Sequence, residues 1–372
     1  MATDSLGLYV HIPYCVRKCN YCDFCSLTNG RSQIPEEYIS ALCSEILSYG
    51  SERKRTLDTV YFGGGTPSLL SVGQMTRIFD SIRQAFDISH SAEITLEANP
   101  GTLTFDKAAG FKNIGFNRVS IGLQSIHEKE MKKLGRIHNY RDFVNAFTTL
   151  RDVGFDNINV DLMYGIPYQT KESFEETLRT VLALGPDHIS SYGLIVEEGT
   201  PFFSDPDLHL PTLDEECDMY ELCCKILSSY GYEHYEISNY AKEGKRSRHN
   251  LIYWNFAEYI GVGASAHSFL CDERFYNTSD VSEYISGFLN HVCEEDAKEY
   301  DASFEYAMLK LRLKDGLDLF DYKKRFNRSF AERKSEIIKK LAEEGLVNVS
   351  DRNVSLTEKG FYLSNSILAE IL

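Results

Sequence analysis

Six strand-like runs, at residues 7–12, 59–62, 93–97, 118–123, 157–162 and 188–196, are separated by stretches whose apolar positions recur every three or four residues. The runs predict β-strands. The stretches predict helices over residues 35–48, 73–86, 140–153 and 171–184, the last with Thr170 as its cap. Six βα units in succession predict an α/β fold whose parallel sheet is closed or partly closed into a TIM-like (β/α)6 barrel. In such a barrel the working side chains stand at the carboxyl ends of the strands.

Those ends carry the candidate chemistry. Residues 9–25 read YVHIPYCVRKCNYCDFC, with Cys15, Cys19 and Cys22 at C-x3-C-x2-C spacing. Three thiols so close together serve either a metal site or redox chemistry. A structural zinc ion takes four ligands in a tetrahedron, usually as two short pairs held apart by a spacer. An iron–sulfur cube spreads its ligands over several irons, so one loop reaches three of its corners. Cys25, one further C-x2-C step on, is a fourth ligand, a redox partner or a bystander. The second strand ends in Gly63-Gly64-Gly65-Thr66-Pro67, which is either a tight turn or a backbone able to approach a charged head group. The third ends in Glu97, an acceptor for hydroxyl or amino groups or a solvated loop carboxylate, and the fourth in Gln124-Ser125. On the fifth, alternation turns Asp161 away from Val160 and Leu162 and into the barrel mouth, where it needs a partner. Arg136 is a candidate for that partner, and otherwise a surface residue.

With 372 residues the chain is long enough for a barrel and a smaller second domain. The acidic run Glu294-Glu295-Asp296 marks a boundary within 296–302, dividing a barrel core over 1–235, a connecting segment over 236–300 and a C-terminal domain over 301–372. That last domain has helical patterns at 304–314 and 330–344, a segment at 317–326, a stop at Gly345, a hairpin pattern over 346–360 and a final helix. The pattern is that of a mostly helical, winged-helix-like module. A net charge of −16 argues against a nucleic-acid partner, leaving the module a structural or docking role or a place over the barrel mouth. Residues 1–8 lack a basic start and an apolar core, and no run of about eighteen apolar residues occurs, so neither a signal peptide nor a membrane span is expected and the compartment is read as cytoplasmic. Ten cysteines in such a chain favour reduced thiols and a metal site over a disulfide frame. Cys43, Cys217, Cys223, Cys224, Cys271 and Cys293 read mostly as ordinary buried cysteines.

The Cys loop, with Tyr21 just before its last thiol, resembles that of the radical S-adenosylmethionine (SAM) enzymes. The resemblance implies that Cys15, Cys19 and Cys22 hold a [4Fe-4S] cluster whose fourth iron is open to the amino and carboxylate groups of SAM. Taken together, HIPYC, GGGTPSLL, EANPGT, SIGLQS, LGRIH and DLMYGIP resemble the oxygen-independent coproporphyrinogen III oxidase family within that superfamily. This implies contacts to cluster-bound SAM from Tyr9, Tyr21, Gly64 and Glu97. It also matches Gly65, Thr66, Gln124, Arg136 and Asp161 to positions that contact a second SAM in the oxidase. Two departures follow. The oxidase places its fourth cysteine as C-x-C, where this chain has Phe24 and then Cys25, and only 14 residues precede Cys15, which leaves no room for the oxidase's N-terminal segment. Decarboxylation of coproporphyrinogen is therefore the secondary expectation. Residues 249–254 read HNLIYW, and this HNxxYW pattern resembles the heme chaperone branch of the family. It implies heme at His249, the aromatics against the macrocycle, Lys245, Arg246 and Arg248 at its propionates, and transfer to an acceptor protein. On residue chemistry alone a single histidine beside a Tyr-Trp pair is more often a hydrogen-bonded structural residue, since only one strong ligand is visible, and His267 is a second candidate ligand. A zinc-binding scaffold is the third reading.

Overall fold

The computed structural model describes residues 5–28, 33–287, 292–293 and 301–371. All six expected barrel strands are present: β1 Leu6–Ile12, β2 Thr56–Gly64, β3 Asp87–Ala98, β4 Arg118–Gln124, β5 Ile158–Tyr164 and β6 His188–Gly193. They pair in parallel in that order. Helices α1 Glu36–Ser48, α2 Val72–Ala85, α3 Phe105–Ile114, α4 Glu128–Lys133, α5 Tyr140–Val153 and α6 Lys171–Leu182 fill the connections. Thr170 caps α6, its hydroxyl accepting from Ser173 N while Ser173 Oγ accepts from Thr170 N.

The two faces of the sheet differ in kind. Leu8, Val10 and Ile12, Val60 and Phe62, Leu96, Val119, Ile121 and Leu123, and Val160 and Leu162 are buried towards the helices. Phe62, for example, stacks on Phe79 of α2 at 5.5 Å. Burying each such side chain contributes about 1.5–3 kcal/mol. The alternate positions face the barrel interior and are largely polar: Tyr9, Thr59, Tyr61, Thr95, Glu97, Arg118, Ser120, Asn159, Asp161 and His188. Apolar wall and polar lumen thus come from one period-two pattern.

After β6 come α7 Leu213–Ser229 and the antiparallel pair β7 Glu233–Glu236 and β8 Asn239–Ala241, with β8 against β6. Helix α8 Arg248–Trp254 then leads to β9 Glu258–Val262, a seventh parallel strand that lies beside β1. β10 His267–Leu270, β11 Glu273–Tyr276 and β12 Val292–Cys293 continue antiparallel from it, and α9 Val281–Gly287 stands between the last two. The sheet stays open, with β7 at one edge and β12 at the other.

The expected boundary at 296–302 lies mostly outside the described residues. Beyond it come α10 Ala302–Leu311, α11 Leu319–Phe326, α12 Phe330–Arg333, α13 Ser335–Glu343, α14 Glu358–Tyr362 and α15 Ser364–Ile371, with a three-stranded sheet of Leu317–Asp318, Asn353–Leu356 and Val347–Val349. The single helix expected over 330–344 is broken at Lys334 (φ −119°, ψ 17°), although the bonds from Lys334 N to Phe330 O and from Ile338 N to Lys334 O run through the break. The module packs on α7 and the β7 edge: Tyr220 Oη donates to Glu358 O, Tyr362 Oη donates to Leu213 O, Phe361 lies 5.1 Å from the His234 ring, and Glu236 bridges to Leu313. Among the described residues no helix is long and apolar enough to cross a membrane.

Candidate functional site

β1 delivers the cysteine loop to the carboxyl ends of its neighbours. The two ends of the loop are joined by parallel pairing of Tyr14–Cys15 with Leu27–Thr28. Its middle is tied down by Asn20, whose N–H reaches Leu134 O (2.9 Å) and whose amide reaches Lys133 O (2.8 Å). Cys15 Sγ accepts from Thr66 Oγ1 at 3.4 Å, and Thr66 Oγ1 in turn accepts from Asn99 Nδ2 at 2.9 Å. Cys19 Sγ faces Arg136 Nη1 at 3.9 Å. Burial pushes the Cys15 and Cys22 thiols up, hydrogen bonds partly offset this, and Cys19 adds to the rise. Loop, glycine turn and strand ends therefore share one mouth.

The glycine turn is explained by close backbone approach. Gly64 has φ +106°, and a Cβ there would meet the His11 ring at 2.5 Å; at Gly65 it would meet Tyr14 O at 2.8 Å. Gly65 N donates to Ile12 O (2.9 Å), and Gly64 N donates to Glu97 Oε2 (3.2 Å). Glu97 also accepts from Tyr61 Oη at 2.6 Å. Burial first, and then the charge of Asp161, raise its carboxyl to about 7 against those two hydrogen bonds. Asp161 is likewise raised by burial, and its partners are Ser120 Oγ (3.0 Å) and Asn159 Nδ2 (2.7 Å).

Arg136 is half-buried, and among the described residues no ion pair joins it to Asp161: it reaches Gly122 O, in register with Asp161, and Cys19, because the chain after α4 turns back over the loop. Tyr21 packs against the small apolar group of Leu134, Met163, Ile166 and Phe202. Gln124 sits at φ +69°, a left-handed conformation that costs a non-glycine residue energy and occurs where the β4–β5 register shifts. Its Oε1 and the Nε of Arg136 are buried with no hydrogen-bond partner among the described residues.

His249 lies deeper. Its Nδ1 is 2.7 Å from Thr59 Oγ1, its Nε2 is 2.7 Å from Tyr253 Oη, and its ring stacks on Tyr61 at 5.0 Å. Both ring nitrogens are engaged, as the structural reading expected, and burial with the nearby Arg118 lowers its pKa to about 3. The basic residues expected at propionates are committed elsewhere: Lys245 to Asp156 O, Arg246 to Glu233 and Arg248 to Ser91 O. Among the remaining cysteines Cys223 and Cys224 are buried and Cys271 is exposed, while the Cys293 side chain lies outside the description. Arg118, Ser120, Asn159 and Tyr61 were missed as site residues, and the signal for them was their register with Asp161 and Glu97 on the inward face.

A loop of three thiols set in the mouth of an open, parallel βα barrel defines the radical SAM class of protein. The chain matches the radical SAM superfamily over residues 9–181 and the HemN C-terminal domain over residues 299–363. It is 36% identical over 374 residues to a Bacillus subtilis (strain 168) protein named heme chaperone HemW, covering 98% of each chain. It is 38% identical over 317 residues to the Escherichia coli (strain K12) protein of the same name, covering 83% of this chain and 82% of that one. The solved structure of coproporphyrinogen III oxidase (HemN) from Escherichia coli superposes with a TM-score of 0.84 at 25% identity, over 98% of this chain and 89% of the oxidase. The chain belongs to the HemW family within the radical SAM superfamily.

Proposed function

We propose that this protein is a heme chaperone, binding heme and passing it to an acceptor protein under the control of a [4Fe-4S] cluster and an exchangeable SAM. Cys15, Cys19 and Cys22 hold the cluster. Tyr9, Tyr21, Gly64 and Glu97 take the SAM bound to it, and Gly65, Thr66, Gln124, Arg136 and Asp161 line the same mouth. The carrying observation is the meeting of Thr66 with Cys15 and of Arg136 with Cys19, which brings thiols, glycine turn and acidic strand ends to one opening. Membership of the HemW family supports the cargo. When bound, the cluster supplies an electron to the sulfonium of SAM. The chain's own residues do the positioning. Thr66 directs a donor at Cys15, which opposes the rise that burial imposes on that thiol, and Arg136 directs one at Cys19. Glu97, held by Tyr61 and the Gly64 N–H, presents a carboxylate to the amino group of SAM. The proposed division of the chain remains 1–235, 236–300 and 301–372.

Iron and sulfide counted after anaerobic reconstitution test the cluster, with about four of each per chain expected and a loss in Cys19→Ala. A protein that takes up zinc and no sulfide would overturn it. The likeness to the oxidase structure favours one second reading, SAM-dependent decarboxylation of coproporphyrinogen III. Incubation with SAM, reductant and coproporphyrinogen decides it: protoporphyrinogen formed in quantity makes the chain an enzyme, and its absence leaves the chaperone.

A further inference from the structure

A cavity of about 400 Å³ opens beside the cysteine loop, between it and β9–β10. Its lining includes Tyr9, Phe24, Cys25, Tyr253, Tyr259 and His267. The volume lies in the range of cofactor pockets, and the rings of Tyr9, Phe24, Tyr253 and Tyr259 suit a flat macrocycle, with the polar His11, Asp23 and Ser265 beside them. Tyr253 and Tyr259 meet edge to face at 4.6 Å. Phe24 is 70% exposed at the rim, a large apolar side chain that a bound macrocycle would cover. Lys18 Nζ, on Phe24 O at 3.1 Å, offers the rim a cation for a carboxylate; Asp23, also in the lining, opposes one.

An iron-holding macrocycle also needs an axial donor. His267, at the start of β10, is exposed and lines the cavity, and stacking of its ring on Tyr276 at 5.0 Å orients the imidazole there. The loop that presents it is held in an uncommon conformation, with Ser265 at φ +63° and Gly263 at φ +100°. Tyr253 and not His249 lines the cavity, so the HNxxYW segment reaches this space through its tyrosine, with the histidine behind, bonded to the tyrosine hydroxyl. For His249 to ligate iron it would have to give up a buried hydrogen bond and move past Tyr253.

Resting on the heme-chaperone reading above, we propose that this cavity is the heme seat, that His267 ligates the iron, and that His249 is a positioning residue that sets Tyr253 against the macrocycle. The test is hemin titration of the cluster-loaded protein, read as the Soret band in difference spectra against the heme-free protein. His267→Ala is expected to lose the ligated band and bind at least tenfold more weakly, with added imidazole restoring the band. His249→Ala, and the milder Tyr253→Phe, are expected to keep the band position while affinity falls a few-fold. A His267→Ala protein with the wild-type band and affinity overturns the assignment and leaves the chaperone reading standing. So does a band lost in His249→Ala and kept in His267→Ala. A wild-type protein that takes up no hemin overturns both.

Discussion

Glu97 is the charge on which the mouth turns. Its carboxyl is raised from 4.5 to about 7 by burial, so near neutral pH it is divided between its two forms. The fold disfavours the ionised form, and the stability it contributes below pH 4.5 is therefore lost as pH rises towards about 7. His249 and His188, lowered by burial, act in the opposite sense: their contribution is present above 6.5 and is lost as pH falls. The difference in melting temperature between Glu97→Gln and wild type isolates the acid, and the variant is expected to gain on wild type as pH climbs from 5 to 8. Binding of a cationic amino group requires the carboxylate, so SAM affinity is expected to rise about tenfold per pH unit below 7 and level off above it. In Glu97→Gln the profile is expected to be weak and flat; calorimetric titration from pH 6 to 8 checks this, and an unchanged slope in the variant would free Glu97 of the role. Glu97 was legible from its place at a strand end, and Asp161 from its alternation with Val160 and Leu162. The partners of Arg136 were not, because no local pattern tells where the chain after α4 crosses the cysteine loop.

At the scale of elements, caps and alternation carried the legible part. Thr170 precedes an apolar period and ends in the expected hydrogen bond, so Thr170→Ala is predicted to cost about 1 kcal/mol in denaturant unfolding and to leave ligand binding alone. Helix α7 passed unread because Cys217, Cys223 and Cys224 blurred its period, although Thr212 and Glu215 form a capping box at its start. β9 and β10 escaped for a different reason: their partners are chosen by close approach. A Cβ on Gly261 would lie 2.1 Å from His267 O, a demand invisible without the neighbouring strand. Gly261→Ala is accordingly predicted to destabilise by about 2 kcal/mol or more, through displacement of β10. Because His267 rides on that strand, hemin affinity should fall in the same variant. A Gly261→Ala protein with wild-type unfolding midpoint would show that β10 yields at no cost.

The molecule as a whole is built outward from its first strand. β1 lies between β2, which follows it closely, and β9, which returns some 250 residues later. Sequence periodicity shows the near partner and is silent on the distant one, so the cavity between the loop and β9–β10 could not be read from sequence. That placement has a functional consequence through Tyr9. Its side chain lines the cavity and its ring stacks on Tyr61 at 6.1 Å, and a Cβ on Gly63 would lie 3.0 Å from the Tyr9 ring and 3.2 Å from Glu97 Oε1. One side chain is therefore a wall of both proposed sites. SAM that fixes Tyr9 removes ordering that heme would otherwise impose, which makes the coupling positive. Saturating SAM is expected to tighten hemin binding about fivefold or more, and by linkage hemin should tighten SAM by the same factor. Tyr9→Ala should reduce that factor towards one in both directions, even where it weakens each ligand separately. Four dissociation constants close the cycle for each protein. Hemin affinities that agree with and without SAM in the wild type would mean that the shared wall transmits nothing, and that loading of the mouth governs heme release by some other route than Tyr9.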